Sequence, residues 1–207
     1  MDHPKLPRGY FRRLTSADRG HFEDHLRRLD RESRRNRFGG AVTDAFLKEY
    51  ASRALDQDGV AFGYVVDGEL RGAGELRLLH DAKDEEAEAA FSVESEWRRQ
   101  GVAAGLFRRI IDSGRSRGVS RILVVCLPHN TAMQGLTRKF DGELIQLAPD
   151  ALGVIEPAKD DAASRWRDAV RDAADFAAAI FDTGGAIPTL APWAAALRAR
   201  RSQRAQI

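Results

Sequence analysis

The period of the apolar residues divides the chain into strand-like and helix-like segments. Residues 9–14, 60–66 and 70–79 have the pattern of strands, and Asp67-Gly68 between the last two is typical of a hairpin turn. Further strands are predicted over residues 87–93, 122–127, 143–148 and 152–155. The fully apolar run at 122–127 is typical of a central strand that is buried on both faces.

Helical spacing recurs between these strands. Thr15 and Thr43 are hydroxyl caps for a first and a second helix. Residues 31–40, which are polar and rich in arginine, are predicted as the connection between them. A third helix has its apolar side at Leu106, Phe107, Ile110 and Ile111, and residues 129–139 form a fourth. This order of elements predicts an α/β (α+β) fold with a mixed central sheet.

Composition changes after Pro157 toward Ala, Asp and Arg, so we expect a domain over residues 1–157 and a C-terminal helical extension over 158–207. The segment 160–182 either packs on the domain, covers a cleft or builds a homodimer. A net charge of +2 argues against a duplex-binding protein. The single cysteine, Cys126, excludes an internal disulfide, and neither a signal peptide nor a membrane span is indicated. We therefore expect a cytoplasmic protein.

The segment from residue 87 to Leu106 carries the chemical signal. It contains a strand, a polar turn, an entry rich in Gly and Ala, and then an amphipathic helix. Small residues allow a close approach to the backbone, and the first amides of a helix are a site for phosphate. A tightly packed strand–helix corner is the alternative explanation. The sequence excludes a Walker loop, because no Gly-Lys-Ser/Thr follows, and disfavours a dinucleotide fingerprint.

Two motifs resemble those of the GNAT acetyltransferase family. Arg98-x-x-Gly101-x-Ala103 is similar to the family's R/Q-x-x-G-x-G/A signature, and Asn130-x-x-Met133-x-x-Leu136 is similar to its second motif. The resemblance covers residues 9 to about 155. It implies the GNAT fold, with the sheet splayed between the fourth and fifth strands, and acetyl-CoA as co-substrate without a metal.

The resemblance also assigns the site residues. Phe91, Ser92 and Val93 would meet the pantetheine arm, with the Val93 amide as oxyanion donor. Asn130 and Met133 would contact acetyl-CoA near its sulfur. The pyrophosphate would be held by backbone amides and by two arginine side chains. These are the amides of Gln100, Gly101, Val102, Ala103, Ala104 and Gly105, and the side chains of Arg98 and Arg99.

Glu88 is the predicted catalytic base, because a carboxylate flanked by small and apolar residues would be desolvated. A salt-bridged strand glutamate is the alternative. Glu75 could face the same cleft, Glu94 is expected to be solvated, and His129 is a third candidate. Cys126 is expected to be an inert, packed thiol. The position of a tyrosine that many GNAT enzymes use to reprotonate the CoA thiolate is occupied by Thr137.

Residues 29–38, with Glu32-Ser33-Arg34 and Arg37-Phe38, resemble Pat-type bacterial protein lysine acetyltransferases. The resemblance implies direct transfer to a protein lysine, such as one in an acyl-CoA synthetase. Small-molecule amine acetylation and an acyl-CoA-binding module without turnover remain alternatives. Nucleic-acid binding through four arginines of the basic tail, near Arg198, is disfavoured.

Overall fold

A computed structural model describes residues 9–55, 59–79, 85–147, 150–157 and Val170. The strands are β1 (Tyr10–Leu14), β2 (Gly59–Val66), β3 (Glu69–Leu79), β4 (Glu86–Val93), β5 (Arg121–Cys126), β6 (Glu143–Leu147) and β7 (Asp150–Ile155). The α-helices are α1 (Arg19–Arg28), α2 (Arg31–Phe38), α3 (Asp44–Ala54), α4 (Val102–Ser116) and α5 (Thr131–Lys139), with short 3-10 helices at Ser16–Asp18 and Ser95–Trp97.

The seven strands form one sheet in the order β1-β2-β3-β4-β5-β7-β6. Neighbouring strands are antiparallel except for β4 and β5, which are parallel and are linked by the crossover helix α4. This pair is joined over three residue pairs, from Glu86↔Arg121 to Glu88↔Leu123. Beyond Glu88 the two strands separate. The predicted mixed sheet, splayed between the fourth and fifth strands, is therefore confirmed.

Helices cover both faces of the sheet and form two apolar clusters. On one face, α4 buries Leu106, Phe107 and Ile110 against β2 to β5. On the other, α1 and α3 bury Phe22 and Leu47 against β1 to β3. The α4 stripe is the one that the helical spacing predicted, and the two clusters place α1 and α4 on opposite sides of the sheet.

The segment 31–40, predicted as a connection, contains the helix α2, so that prediction is wrong. Asp30 caps this helix by accepting a hydrogen bond from the Ser33 amide at 2.8 Å. Gly39 ends it with φ 73°, in the left-handed region that favours glycine. Ser33 is the buried residue of α2, so the helix lacks the apolar stripe by which helices are recognised.

The strand at 122–127 was predicted to be buried on both faces, and this is also wrong. Val125 is 53% exposed, whereas its neighbours Val124 and Cys126 are buried. Alternate residues of a strand face opposite sides, so Ile122 and Val124 pack in the α4 cluster and Val125 faces the other side. On that side the described cluster of α1 and α3 reaches only β1 to β3. The apolar run of β5 thus contributes residues to the core and also to the opening between β4 and β5.

The predicted extension over residues 158–207, including the basic tail, lies outside the described residues except for Val170. Among the helices that the structure describes, none has the length and apolar content needed to cross a bilayer. Within the same residues, no group of three or more His, Cys, Asp or Glu side chains is arranged to hold a metal ion.

Candidate active site

A cavity of about 310 Å³ lies where β4 and β5 separate. Its walls comprise Glu32, Ser33, Asn36 and Arg37 of α2, residues 88–93 of β4, Arg98 and Ala103, residues 124–126 of β5, and residues 129–133 with Leu136 at α5. The cavity thus joins the two sequence motifs of the preceding section. It also includes α2, whose residues the sequence had linked to the acceptor.

The edge of β4 that faces the cavity has free backbone groups. The Glu94 amide donates to the carbonyl oxygen of Arg71 at 3.0 Å, toward β3. Successive residues of a strand direct their N–H groups to opposite edges, so the Val93 and Phe91 amides point toward β5. Here β5 has already separated, because its pairing with β4 ends at Glu88. An extended ligand can therefore add to this edge as a strand does.

The N-terminus of α4 adjoins that edge. Gly101 precedes the helix with φ 85°, and Arg99 also has a positive φ of 57°. The first helical hydrogen bond runs from the Gly105 amide to the Gly101 carbonyl oxygen at 2.9 Å. Val102, Ala103 and Ala104 therefore have no earlier helical carbonyl to bond. The first turn carries no acidic residue, so the helix dipole and these amides favour an anion.

Gly105 and Val102, whose amides were predicted to hold the pyrophosphate, also take part in packing. A β-carbon on Gly105 would lie 2.3 Å from Cζ of Phe11, so glycine allows the ring to pack against the helix. The Gly105 amide already has its helical partner, which removes it from the anion site. Val102 is 1% exposed and belongs to the core. Ala103, in contrast, lines the cavity, and Gly101 has open space around it.

Arg98 connects three parts of the site. Its guanidinium donates to Asp30 at 2.9 Å, to the Ser33 hydroxyl, and through Nε to the Val93 carbonyl oxygen at 3.3 Å. The side chain thereby ties α2 to the end of β4 at the cavity rim. Arg99 and Gln100 are exposed beside it, and the Gln100 amide group donates to the Glu96 carbonyl oxygen at 2.7 Å.

Glu88 lines the cavity at the point where β4 and β5 separate. Its side chain is exposed, so the desolvation expected from its small and apolar neighbours is not present. The residues on either side, Ala87 and Ala89, are buried on the opposite face of the strand. Small neighbours in the sequence therefore did not imply burial for the carboxylate, because alternate residues of a strand face opposite sides.

Glu75 is buried in a paired network and is not among the residues of the cavity wall. Its carboxylate accepts from Arg37 Nη2 at 2.5 Å and from the Tyr50 hydroxyl at 2.6 Å. Burial and the nearby Glu75 charge raise the pKa of Tyr50, which remains a neutral donor. Arg37, itself part of the wall, is thus neutralised by Glu75.

Glu94 was expected to be solvated, and that expectation is wrong, because it is 7% exposed. Its carboxylate accepts from Arg28 at 2.9 Å and from Arg71 at 3.1 Å, and His25 lies 3.0 Å away. Burial acts to raise the pKa of Glu94, but the hydrogen bonds from His25, Arg71 and Arg28 outweigh it and lower the pKa. The group is a structural anion.

His129 and Cys126 both line the cavity, with different environments. His129 is exposed near the start of α5. Cys126 is 4% exposed, and burial raises the pKa of its thiol. A buried thiol of raised pKa is a poor nucleophile, in agreement with the inert packing that the sequence predicted.

The start of α5 forms the wall opposite β4. Asn130 caps the helix by accepting from the Met133 amide at 3.1 Å, and both residues line the cavity. Thr137 is fully buried elsewhere. Its hydroxyl donates to the Met133 carbonyl oxygen at 3.1 Å, and its methyl group lies against Gly142 and Gly153. The residue at the tyrosine position therefore packs against the sheet rather than lining the cavity.

A family model, a relative in sequence and solved structures all match this chain to acetyltransferases. The model of the acetyltransferase (GNAT) family matches residues 24–142, which is more than half of the chain. An acetyltransferase of Pseudomonas aeruginosa is 30% identical over 134 residues, covering 60% of this chain and 69% of that protein.

Solved structures share the fold. The GNAT domain of S. lividans PAT has a TM-score of 0.63 at 19% identity, covering 72% of this chain and 90% of that one. A ribosomal-protein-S5-alanine acetyltransferase from Vibrio fischeri has a TM-score of 0.61 at 14% identity, covering 74% and 96%. The PaiA N-acetyltransferase from Thermoplasma acidophilum, solved in complex with coenzyme A, has a TM-score of 0.54 at 13% identity, covering 72% and 98%.

The family match identifies an acyl-transferring enzyme, and the splayed sheet and the open amides at the start of α4 agree with it. The chain belongs to the acetyltransferase (GNAT) family, whose general reaction is acetyl-CoA-dependent acetylation of amines.

Proposed function

We propose that this enzyme transfers an acetyl group from acetyl-CoA directly to a primary amine, and that the acceptor is a lysine of a protein. The observation that carries the proposal is the free edge of β4 beyond Glu88, which runs toward the N-terminus of α4. A ligand with an extended, amide-containing arm and a diphosphate matches both features.

The residues present fit coenzyme A. The amides of Val102, Ala103 and Ala104 would hold the diphosphate, and the exposed Arg99 would add a charge-assisted contact. The Phe91 backbone would pair with the pantetheine arm, whose thioester end would then reach the Val93 amide. Asn130 and Met133 would border the sulfur end from the opposite wall.

Acetyl-CoA supplies an activated thioester, and the protein orients it and removes a proton. The Val93 amide would donate to the thioester oxygen, a contact worth roughly 10²–10³ in rate when well placed. Glu88 would accept the proton of the acceptor amine through a water, because a lysine amine is almost fully protonated at pH 7. The amine nitrogen would then bond to the acetyl carbon as the carbon–sulfur bond breaks and CoA leaves. Since Thr137 lies away from the cavity, the CoA thiolate would take up the second proton of the nitrogen through solvent.

The α2 wall supports a protein lysine as the acceptor. Glu32 and Glu88 lie on different walls of the cavity, and both carboxylates favour the approach of an ammonium group. Ser33 and Arg37, which belong to the Pat-like segment, line the same wall as Glu32. An acyl-CoA synthetase with a reactive lysine is the partner that we propose on this basis.

Calorimetry with acetyl-CoA, followed by turnover with a panel of amines and a bacterial lysate, tests the proposal. We expect binding at a stoichiometry of one and radiolabel in protein lysines. Label in polyamines or aminoglycosides but in no protein would reject the lysine acceptor and retain the amine reaction. No binding of acetyl-CoA would reject both.

A second candidate is an acyl-CoA-binding module without turnover. It is favoured by the solvent exposure of Glu88 and by the burial of Thr137 away from the cavity. Normal acetyl-CoA affinity without any acetylation would support this candidate.

A further inference from the structure

A buried histidine on α1 bridges the two residues on either side of Val93. His25 Nε2 lies 2.9 Å from the Ser92 hydroxyl oxygen, and Nδ1 lies 3.0 Å from Glu94 Oε1. The ring is completely buried, and it is more than 60 residues away in the chain from both partners. No step of the proposed reaction uses this histidine.

Its neighbours determine the tautomer. Arg28 and Arg71 hold Glu94 as a carboxylate, which only accepts hydrogen bonds, so Nδ1 of His25 must donate to it. Nε2 is then left with a lone pair, which accepts from the Ser92 hydroxyl. Burial lowers the pKa of His25, in agreement with a neutral ring.

The bridge fixes the backbone between its two ends. Ser92 and Glu94 direct their side chains to the α1 side of β4, and the Phe91 side chain lies on the other side, stacked on Phe107 of α4. The Glu94 amide is also bonded to β3. The only residue between these two anchors is Val93, whose amide points to the cavity.

We infer that His25 is a positioning residue, which holds the Val93 amide in the direction needed to receive the thioester oxygen. This inference rests on the proposed function, because it assigns His25 a role in the same reaction. An oxyanion donor stabilises the transition state only when its N–H lies within hydrogen-bond distance of the oxyanion and points at it. A small rotation of the Val93 amide therefore lowers the rate.

The test compares His25→Gln and Ser92→Ala with Phe22→Leu. Phe22 lies on the same helix and is as fully buried as His25, but it packs in the apolar cluster that α1 and α3 form on β1 to β3. We expect both bridge variants to lower kcat by about 10-fold or more, with the KM for acetyl-CoA within about threefold. Phe22→Leu should lower the melting temperature and leave kcat unchanged when measured well below it.

The second readout is independent of activity. In ¹⁵N NMR spectra, CoA should shift the Val93 amide strongly in the wild type and in Phe22→Leu, and weakly in His25→Gln. Equal kcat losses in all three variants, or an unaltered Val93 response in His25→Gln, would overturn the inference. If the wild type binds CoA but has no turnover, the proposed function fails and the NMR comparison still decides the role of His25.

Discussion

The ring of Phe11 on β1 packs directly against the α-carbon of Gly105 on α4, so that a β-carbon there would lie 2.3 Å from the ring. The guanidinium of Arg109, one turn further along α4, lies 4.2 Å above the centre of the same ring. Gly105 is therefore required by close packing between helix and sheet, although it belongs to a motif associated with ligand binding.

Gly105→Ala should lower the free energy of unfolding by about 1–3 kcal/mol, because the ring and helix must move apart. Gly135→Ala is the matched control. Gly135 is also helical, but nothing lies within 4 Å of the added carbon. That variant should be stabilised by roughly 0.5–1 kcal/mol, since alanine loses less backbone entropy on folding. Urea unfolding measures both, and equal effects would contradict the packing role.

Gly101→Ala should weaken acetyl-CoA binding. Its φ of 85° strains any residue with a β-carbon by about 1–2 kcal/mol, and relief of the strain would turn the following amides away from the anion. Loss of one charge-assisted hydrogen bond corresponds to roughly a 10-fold or larger rise in Kd. Gly68→Ala, with φ 78° in the β2–β3 turn, should lose similar stability and keep its affinity. Calorimetry gives the Kd for acetyl-CoA of each variant, and an equal rise in both would show that backbone strain, rather than lost ligand contact, weakens binding.

Glu88→Gln should lower kcat by about 10²–10⁴-fold at neutral pH, and leave the Kd for acetyl-CoA within about twofold. The amide has the same size but cannot accept the proton. Glu86→Gln on the same strand loses an ion pair with the partly exposed Arg121, which is worth about 1 kcal/mol or less. We expect it to retain wild-type kcat. Undiminished turnover in Glu88→Gln would show that Glu88 is not the base, and His129 would be the next residue to test.

Stability should fall as the pH drops below about 6.5, because burial lowers the pKa of His25 in the folded protein. The unfolded chain then takes up a proton that the native ring does not, so the stabilisation is present above pH 6.5 and is lost below it. The slope is at most about 1.4 kcal/mol per pH unit for one proton. Urea unfolding at pH 8, 6.5 and 5 should show a smaller slope for His25→Gln.

The pKa of Glu94 is also lowered in the folded protein, and its contribution has the same sign at lower pH. It is present above the ordinary pKa of 4.5 and is lost as the pH falls below that value. A wild type whose stability does not change between pH 8 and 5 would contradict the lowered pKa of His25 in the folded protein.

Periodicity predicted the helices that carry an apolar stripe and the strands in which apolar and polar residues alternate. The stripe of α4 and the Asp67-Gly68 turn are local signals, and both were correct. The helix α2 was not predicted, because its only helical signals are the capping residues Asp30 and Gly39 and its middle is polar. A search for caps without an apolar stripe would have found it.

The parts of the site that are close in sequence were also predictable. Arg98 and Ala103 line the cavity, as do Asn130 and Met133, since each pair belongs to a local motif. The bridge of Ser92, His25 and Glu94 could not be predicted, because it joins α1 to β4 across more than 60 residues. Residues 29–38 were linked to the acceptor by resemblance, but the sequence did not predict that they form a helix or a wall of the cavity.

The pairing of β4 with β5 is a short link in the sheet: β1–β4 and β5–β7 share the apolar cluster at α4, but few backbone hydrogen bonds join them. Three residue pairs connect β1–β4 with β5–β7, so thermal opening of this seam needs few bonds to break. Amide protons of β5 and β7 should then exchange with deuterium faster than those of β2 and β3. A coenzyme that contacts both halves acts as a removable crosslink, and its binding should slow exchange mainly on the β5–β7 side.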